Sequence, residues 1–88
     1  MVSNYMEDIV REILPNILDK YKNICKCEKC MEDISAISLN NLKPLYFVTE
    51  KGAIYSKLKK LQVQFSADVI NELTKAIEIV SKNPNHNI

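Results

Sequence analysis

Three cysteines stand close together in Cys25-Lys26-Cys27-Glu28-Lys29-Cys30, a C-x-C-x-x-C cluster. Thiolates so near in sequence can converge on one soft or borderline cation, and Zn²⁺ is the usual one. Lys20, Lys22, Lys26 and Lys29 surround them with positive charge, which favours thiolate over thiol. Structural zinc takes four ligands and the chain has three cysteines, so His86, its single histidine, is the candidate fourth, with Asp33 or Glu28 as substitutes. The alternative is three reduced thiols, Cys30 belonging partly to the core and Cys25 and Cys27 incidental; His86 would then be a solvated tail residue. Thiol redox chemistry is the lesser expectation, because Cys27-Glu28-Lys29-Cys30 is the only C-x-x-C match and adjoins no strand–helix unit.

The stretch from Asp33 to Tyr46, DISAISLNNLKPLY, carries a second kind of chemistry. A helix end, a turn fixed by Pro44 and the aromatic pair Tyr46 and Phe47 would make a preformed surface. Lys43, Lys51, Lys57 and Tyr55 would surround it with cations and rings. Phosphates need such donors and bases stack on such faces, so the mix suits a nucleotide. The alternative has Tyr46 and Phe47 in the core and the lysines as ordinary surface. Catalysis has little to stand on. One glycine cannot build a phosphate-cradling loop, a nucleophilic triad would need His86, and Glu32 and Asp33 fit a solvated helix face. The expectation is a protein that is not an enzyme.

The elements that must position these groups are helical. Eighty-eight residues suffice for one domain, 1–88, with 82–88 as a loose tail. Cores of this size are marginal and often recruit a metal or a second subunit. A single glycine and three prolines leave little turn chemistry for a β fold, so the expectation is an all-α domain of three to four helices. Asn4 followed by Glu7 reads as a capping box. Met6, Ile9, Val10, Ile13, Leu14, Ile17, Leu18 and Tyr21 then recur at helical steps, predicting a helix over 5–22 with a kink at Pro15. A second helix should carry Cys30, Ile34, Ala36 and Ile37 on one side and end near Asn40–Asn41 ahead of Pro44. LYFVTE reads as an extended loop, since no second strand is evident to pair with it. Thr49 and Gly52 introduce a long helix over 53–82, striped by Ile54, Leu58, Leu61, Phe65, Val69, Leu73, Ala76, Ile77 and Val80. At roughly 1.5 Å per residue this helix would span about 45 Å, against about 30 Å for a compact chain of this length. It must therefore bend near Gln64–Ser66 or project and be covered by a second chain.

A net charge of +1 makes no demand for nucleic acid, and no apolar run approaches the roughly 20 residues of a membrane span. Residues 1–20 carry Glu7, Asp8, Glu12 and Asp19 and do not read as a signal peptide. The expected location is the cytoplasm, where thiols stay reduced.

The motif formed by Asp33, Leu39, Asn40, Leu42, Pro44, Tyr46, Thr49 and Gly52, followed by a long helix ending near Pro84, resembles the late competence development protein ComFB family of bacteria. The resemblance runs from Met6 to Pro84. It implies a small helical homodimer. Some members resemble zinc proteins through a cysteine cluster that Cys25, Cys27 and Cys30 match, completed by a tail cysteine. Here Ile88 falls about where that cysteine would be, and His86 lies two residues earlier. Other members are receptors for cyclic dinucleotides such as cyclic di-GMP. Carried onto this chain, Asp33, Asn40, Pro44 and Tyr46 are the positions to watch. Asn41 stands where the family commonly has Arg or Lys, and Lys43 where it commonly has Pro.

Two functions follow from these expectations. One is a regulatory dimer that binds a cyclic dinucleotide through Asp33, Asn40, Asn41, Lys43, Pro44 and Tyr46. The other is a zinc-stapled module that binds a protein partner in competence.

Overall fold

The fold was obtained as a computed structural model that describes residues 2–48 and 55–82, with backbone only for 55–58. Thr49, Lys51, Gly52 and His86, and the side chains of Tyr55 and Lys57, lie outside the described residues. Chain order is β1 (Val2–Asn4), α1 (Tyr5–Leu18), α2 (Glu28–Asn40), β2 (Tyr46–Val48) and α3 (Tyr55–Lys82).

Asn4 starts α1 as expected. Its backbone is extended, and its Oδ1 accepts the Met6 N–H at 3.1 Å. The Glu7 half of the capping box is not formed among the described residues, and Glu7 is exposed. The apolar stripe of α1 buries Met6, Ile9, Val10, Leu14, Ile17 and Leu18. Pro15 sits on the exposed side and does not interrupt the helix. The predicted end at residue 22 is corrected to Leu18: Lys20 N–H to Ile17 O and Tyr21 N–H to Leu18 O, both 3.0 Å, are tighter turn bonds that close the helix.

Helix α2 begins two residues before the expected Cys30 and buries Cys30, Ile34 and Ser38 at steps of four. Ala36 faces solvent, against expectation, and Ile37 is half-buried. Ser38 is small enough to let α2 approach α3 closely, and its Oγ donates to the Glu72 carbonyl at 3.4 Å. No buried side-chain polar atom among the described residues lacks a partner.

The all-α expectation needs one correction. Tyr46–Val48 is not a loop but a strand, paired antiparallel with β1 in the register Val2–Val48, Ser3–Phe47 and Asn4–Tyr46. Its partner lies at the far end of the sequence and is too short to show an alternating pattern. Asn4 Oδ1 also accepts the Leu45 N–H at 2.8 Å, Tyr5 N–H donates to Leu45 O at 2.7 Å, and the Tyr5 and Phe47 rings meet edge to face at 5.9 Å.

Helix α3 runs unbroken for 28 residues, so the bend near Gln64–Ser66 is absent. The molecule's longest axis is 42 Å, the length of such a helix. Helices α1 and α2, with 14 and 13 residues, are half as long. They bury α3 fully only in its C-terminal half, at Val69, Leu73, Ala76, Ile77 and Val80, while Phe65 packs partly on the core and Gln62 accepts from the Tyr5 hydroxyl at 3.4 Å. Its N-terminal half keeps Lys59, Lys60 and Val63 in solvent, Val63 at 77% exposure. Among the described residues, no helix is long and apolar enough to cross a membrane.

Because one side-chain oxygen both caps α1 and ties down the chain ahead of β2, Asn4→Ala should lower stability by about 1–2 kcal/mol, at the upper end for a cap. Thermal melting checks this, and an unchanged melting point would show that the oxygen holds nothing.

Candidate metal centre

The turn bonds that end α1 lead into the connection 19–27, which crosses to the N-terminus of α2 and carries Cys25. Tyr21 and Ile24 are the apolar side chains of this connection that pack on the core. Cys27 is the N-cap of α2, with extended backbone and its Sγ accepting the Cys30 N–H at 3.5 Å. An N-cap side chain folds over the first turn to reach a free N–H there. Sulfur performs that task here, which draws it toward Cys30 one turn on. Cys25 and Cys27 are exposed and Cys30 is 1% exposed. All three sulfurs lie within 4.8 Å of one another.

The donor set fits a thiophilic cation. Tetrahedral zinc with Zn–S bonds of 2.3 Å separates its sulfurs by about 3.8 Å, so a contraction of about 1 Å would seat the ion. No carboxylate of the described residues joins the group. Asp33, considered as a substitute ligand, is held instead by Lys29 at 2.6 Å, and this pairing raises the Lys29 ammonium above its ordinary pKa. Glu28 is exposed and outside the cluster. His86 lies outside the described residues. A small cleft of about 170 Å³ is lined by Cys25 and Cys30 together with Ile77, Val80 and Ser81 from the end of α3. The chain therefore leaves α3 at Lys82 close to the sulfurs.

The thiols differ in acidity. Cys27 is lowered below the ordinary thiol value, first by the Cys30 backbone N–H and next by the Cys25 side chain. The charges of the lysines expected from the sequence to do this are not among the causes; Lys29 contributes only through its backbone N–H. Burial pushes Cys30 up to about 12, and hydrogen bonding with Cys25 and Cys27 adds to the shift.

The second candidate region divides. An open cleft of about 490 Å³ at the other end of α2 is lined by Asn41, Lys43 and Pro44 and, across it, by Phe65, Asp68, Asn71 and Glu72 of α3. Asp33, Asn40 and Tyr46 do not line it. Asp33 stands two turns back on α2, Asn40 is exposed at the helix end, and Tyr46 is 68% exposed on β2. The Asn41 amide is partly committed, its Nδ2 donating to Ile37 O at 2.9 Å. Sequence reasoning missed Asp68, Asn71 and Glu72 because they read as the ordinary polar face of a helix. They set two carboxylates opposite one lysine.

The family model described as late competence development protein ComFB matches residues 3–84. The competence protein ComFB of Bacillus subtilis (strain 168) is 29% identical over 84 residues, which are 96% of this chain and 86% of that protein. A solved structure of the late competence protein ComFB from Bacillus subtilis superposes with a TM-score of 0.80 at 28% identity, covering 99% of this chain and 96% of that one.

In metal-free protein at neutral pH, iodoacetamide should label Cys27 readily and leave Cys30 untouched. The Cys27 rate should reach half its maximum below the pH at which an ordinary thiol does so, because the lowered pKa places thiolate there. Peptide mass mapping against pH reads both, and equal labelling of Cys27 and Cys30 would contradict the assignment.

Proposed function

The chain belongs to the late competence development protein ComFB family, and from that premise we propose that it is a non-enzymatic binding domain stapled by zinc at Cys25, Cys27 and Cys30. The observation that carries the reading is the convergence of three sulfurs, two from the connection 19–27 and one from the core face of α2. His86 is the fourth ligand. It stands four residues past Lys82, and four residues reach about 14 Å when extended, enough to return to a cleft that Ser81 already lines. Zinc there ties the connection, α2 and the end of α3 into one unit. Its cellular setting, by kinship, is bacterial competence, and its task is to present a fixed surface to a protein partner.

We also propose that the chain works as a homodimer. A two-fold axis lets the same surface cover itself. The outward face of α3, with Val63 and Ile70 exposed, supplies an apolar surface to cover.

A second reading has its own support. The cleft beside Pro44 lies within the 300–1,000 Å³ usual for small ligands. Its donors and acceptors suit a cyclic dinucleotide, Lys43 meeting phosphate and Asp68 or Glu72 accepting from a guanine edge. Asn40 and Tyr46, exposed and next in sequence to the lining residues Asn41 and Leu45, would extend the contact, and Asp33 would act only through its pair with Lys29.

Protein purified without chelator should contain zinc, and chelation should lower its melting point, because metal held by the folded state is folding free energy. No zinc and no chelator effect would overturn the staple; zinc retained by His86→Ala would overturn the fourth ligand alone. Light scattering at micromolar concentration should give twice the 10.1 kDa chain mass, and a monomer would reject the dimer. Calorimetry with cyclic di-GMP and cyclic di-AMP should show binding that weakens with added salt. Silence from folded protein at tens of micromolar would remove the nucleotide reading and leave the interaction module.

A further inference from the structure

The sequence offered one C-x-x-C and left redox chemistry as its lesser expectation. The structure strengthens it. Cys27 caps α2 and Cys30 lies on the first turn that it caps, so the two sulfurs share one side of the helix end. A disulfide needs an S–S distance of about 2.05 Å, and sulfurs already within 4.8 Å reach it by a movement of about 3 Å. Rotation of the exposed Cys27 side chain provides motion on that scale. The alternative pair, Cys25 and Cys27, has one residue between its members and would close a tighter ring without the help of a helical turn. Solvent exposure separates the roles, since an oxidant from solvent meets Cys27 while Cys30 waits behind it in the core.

We propose that Cys27 and Cys30 are a peroxide-responsive thiol pair whose disulfide opens the metal site. The Cys27 sulfur attacks one oxygen of hydrogen peroxide and the O–O bond breaks, giving a sulfenic acid and one water. The Cys30 sulfur then attacks the Cys27 sulfur, the S–O bond breaks, and the hydroxyl leaves as a second water with the Cys30 proton. Two thiols are oxidised to one disulfide and one peroxide is reduced to two waters; where a metal holds the pair as thiolates, solvent supplies the two protons. Two of the three thiolates are thereby withdrawn, and a cation left with Cys25 and one further ligand is released. The release rests on the zinc reading above; the disulfide does not.

The test treats the full chain, as purified, with equimolar hydrogen peroxide, then alkylates it and digests it with trypsin. Lys22, Lys26 and Lys29 place the three cysteines on separate peptides, so the linkage is read directly by mass. The expected product joins the Cys27 peptide to the Cys30 peptide with the loss of two hydrogens. Zinc appears in a chromogenic chelator in step with it, and dithiothreitol reverses the link. Cys25→Ser should keep the crosslink. Cys27→Ser should abolish it while retaining a capping oxygen for α2, so a folded variant is expected. The proposal is overturned by three fully alkylated thiols after peroxide, by Cys27 recovered as sulfinic acid without a link, or by a Cys25–Cys27 link in the unmodified chain. Repeating the mapping after chelation separates the two ideas. A crosslink in a chain that never held zinc rejects only the metal reading, and a zinc-holding chain without a crosslink rejects only this one.

Discussion

The contact between α2 and the C-terminal half of α3 governs where everything else lies. Ile34 and Ser38 of α2 are buried with Val69, Leu73 and Ile77 of α3, and the small Ser38 brings the two backbones close enough for its hydroxyl to reach the Glu72 carbonyl. This pairing runs antiparallel, since Cys30 meets Ile77 and Val80 while Leu42 lies beside Phe65 and Asp68. Its two ends are therefore fixed places. The thiols sit where α2 begins and α3 ends. The cleft sits where α2 ends, one helix length of about 20 Å away. Helix α1 closes the third side, and the short sheet with Asn4 as its corner pins the turn that borders the cleft.

Local physics at the start of α2 then differentiates the three cysteines. A helix N-terminus offers unpaired N–H groups and a partial positive charge, and both favour an anionic partner. Cys27 occupies the cap and is made more acidic by the Cys30 N–H, whereas Cys30, facing the core three residues on, is made less acidic by burial. A cation bound among them would remove that asymmetry by holding all three as thiolates.

Much of this was legible in the sequence, and the parts that were not share a cause. The stripe from Met6 to Leu18 and the stripe from Val69 to Val80 each encode a buried helix face by local periodicity. The C-x-C-x-x-C spacing announces a thiol cluster because its members are five residues apart at most. What could not be read depends on contacts distant in sequence. Val2–Asn4 shows no strand pattern in three residues and becomes a strand only by meeting Tyr46–Val48. Asp68 and Glu72 look like solvent-facing helix residues until the 41–45 turn is placed across from them. Lys29 seemed available to the thiols until Asp33, one turn away, held it. Between a bent and a projecting α3 the sequence could not choose, because compactness is an average property; the helix runs unbroken, and Gln64–Ser66 contain no residue that forces a bend.

The placement of the thiols also decides which part of the chain a metal would stabilise. Helix α2 does not depend on the ion, because Ile34 and Ser38 anchor it to α3 and Cys27 caps it as a thiol. The connection 19–27 is different. Ordering a residue's backbone costs about 1–2 kcal/mol, and this segment has about nine of them. Its apolar anchors, Tyr21 and Ile24, are only partly buried, and full burial of such side chains returns about 1.5–3 kcal/mol each. Turn bonds at Lys20 and Tyr21 secure its beginning next to α1, and Met31 N–H to Cys27 O at 3.0 Å secures Cys27 at α2, so the metal would act on the stretch around Cys25 between them. Zinc bound through thiolates contributes about 10–16 kcal/mol in small domains, enough to cover the remaining deficit. Stapled, the Cys25 end of the connection would be fixed against the final turn of α3. Unstapled, that end would loosen first while the helix pairing persisted, so metal occupancy would reshape one end of the molecule without unfolding it.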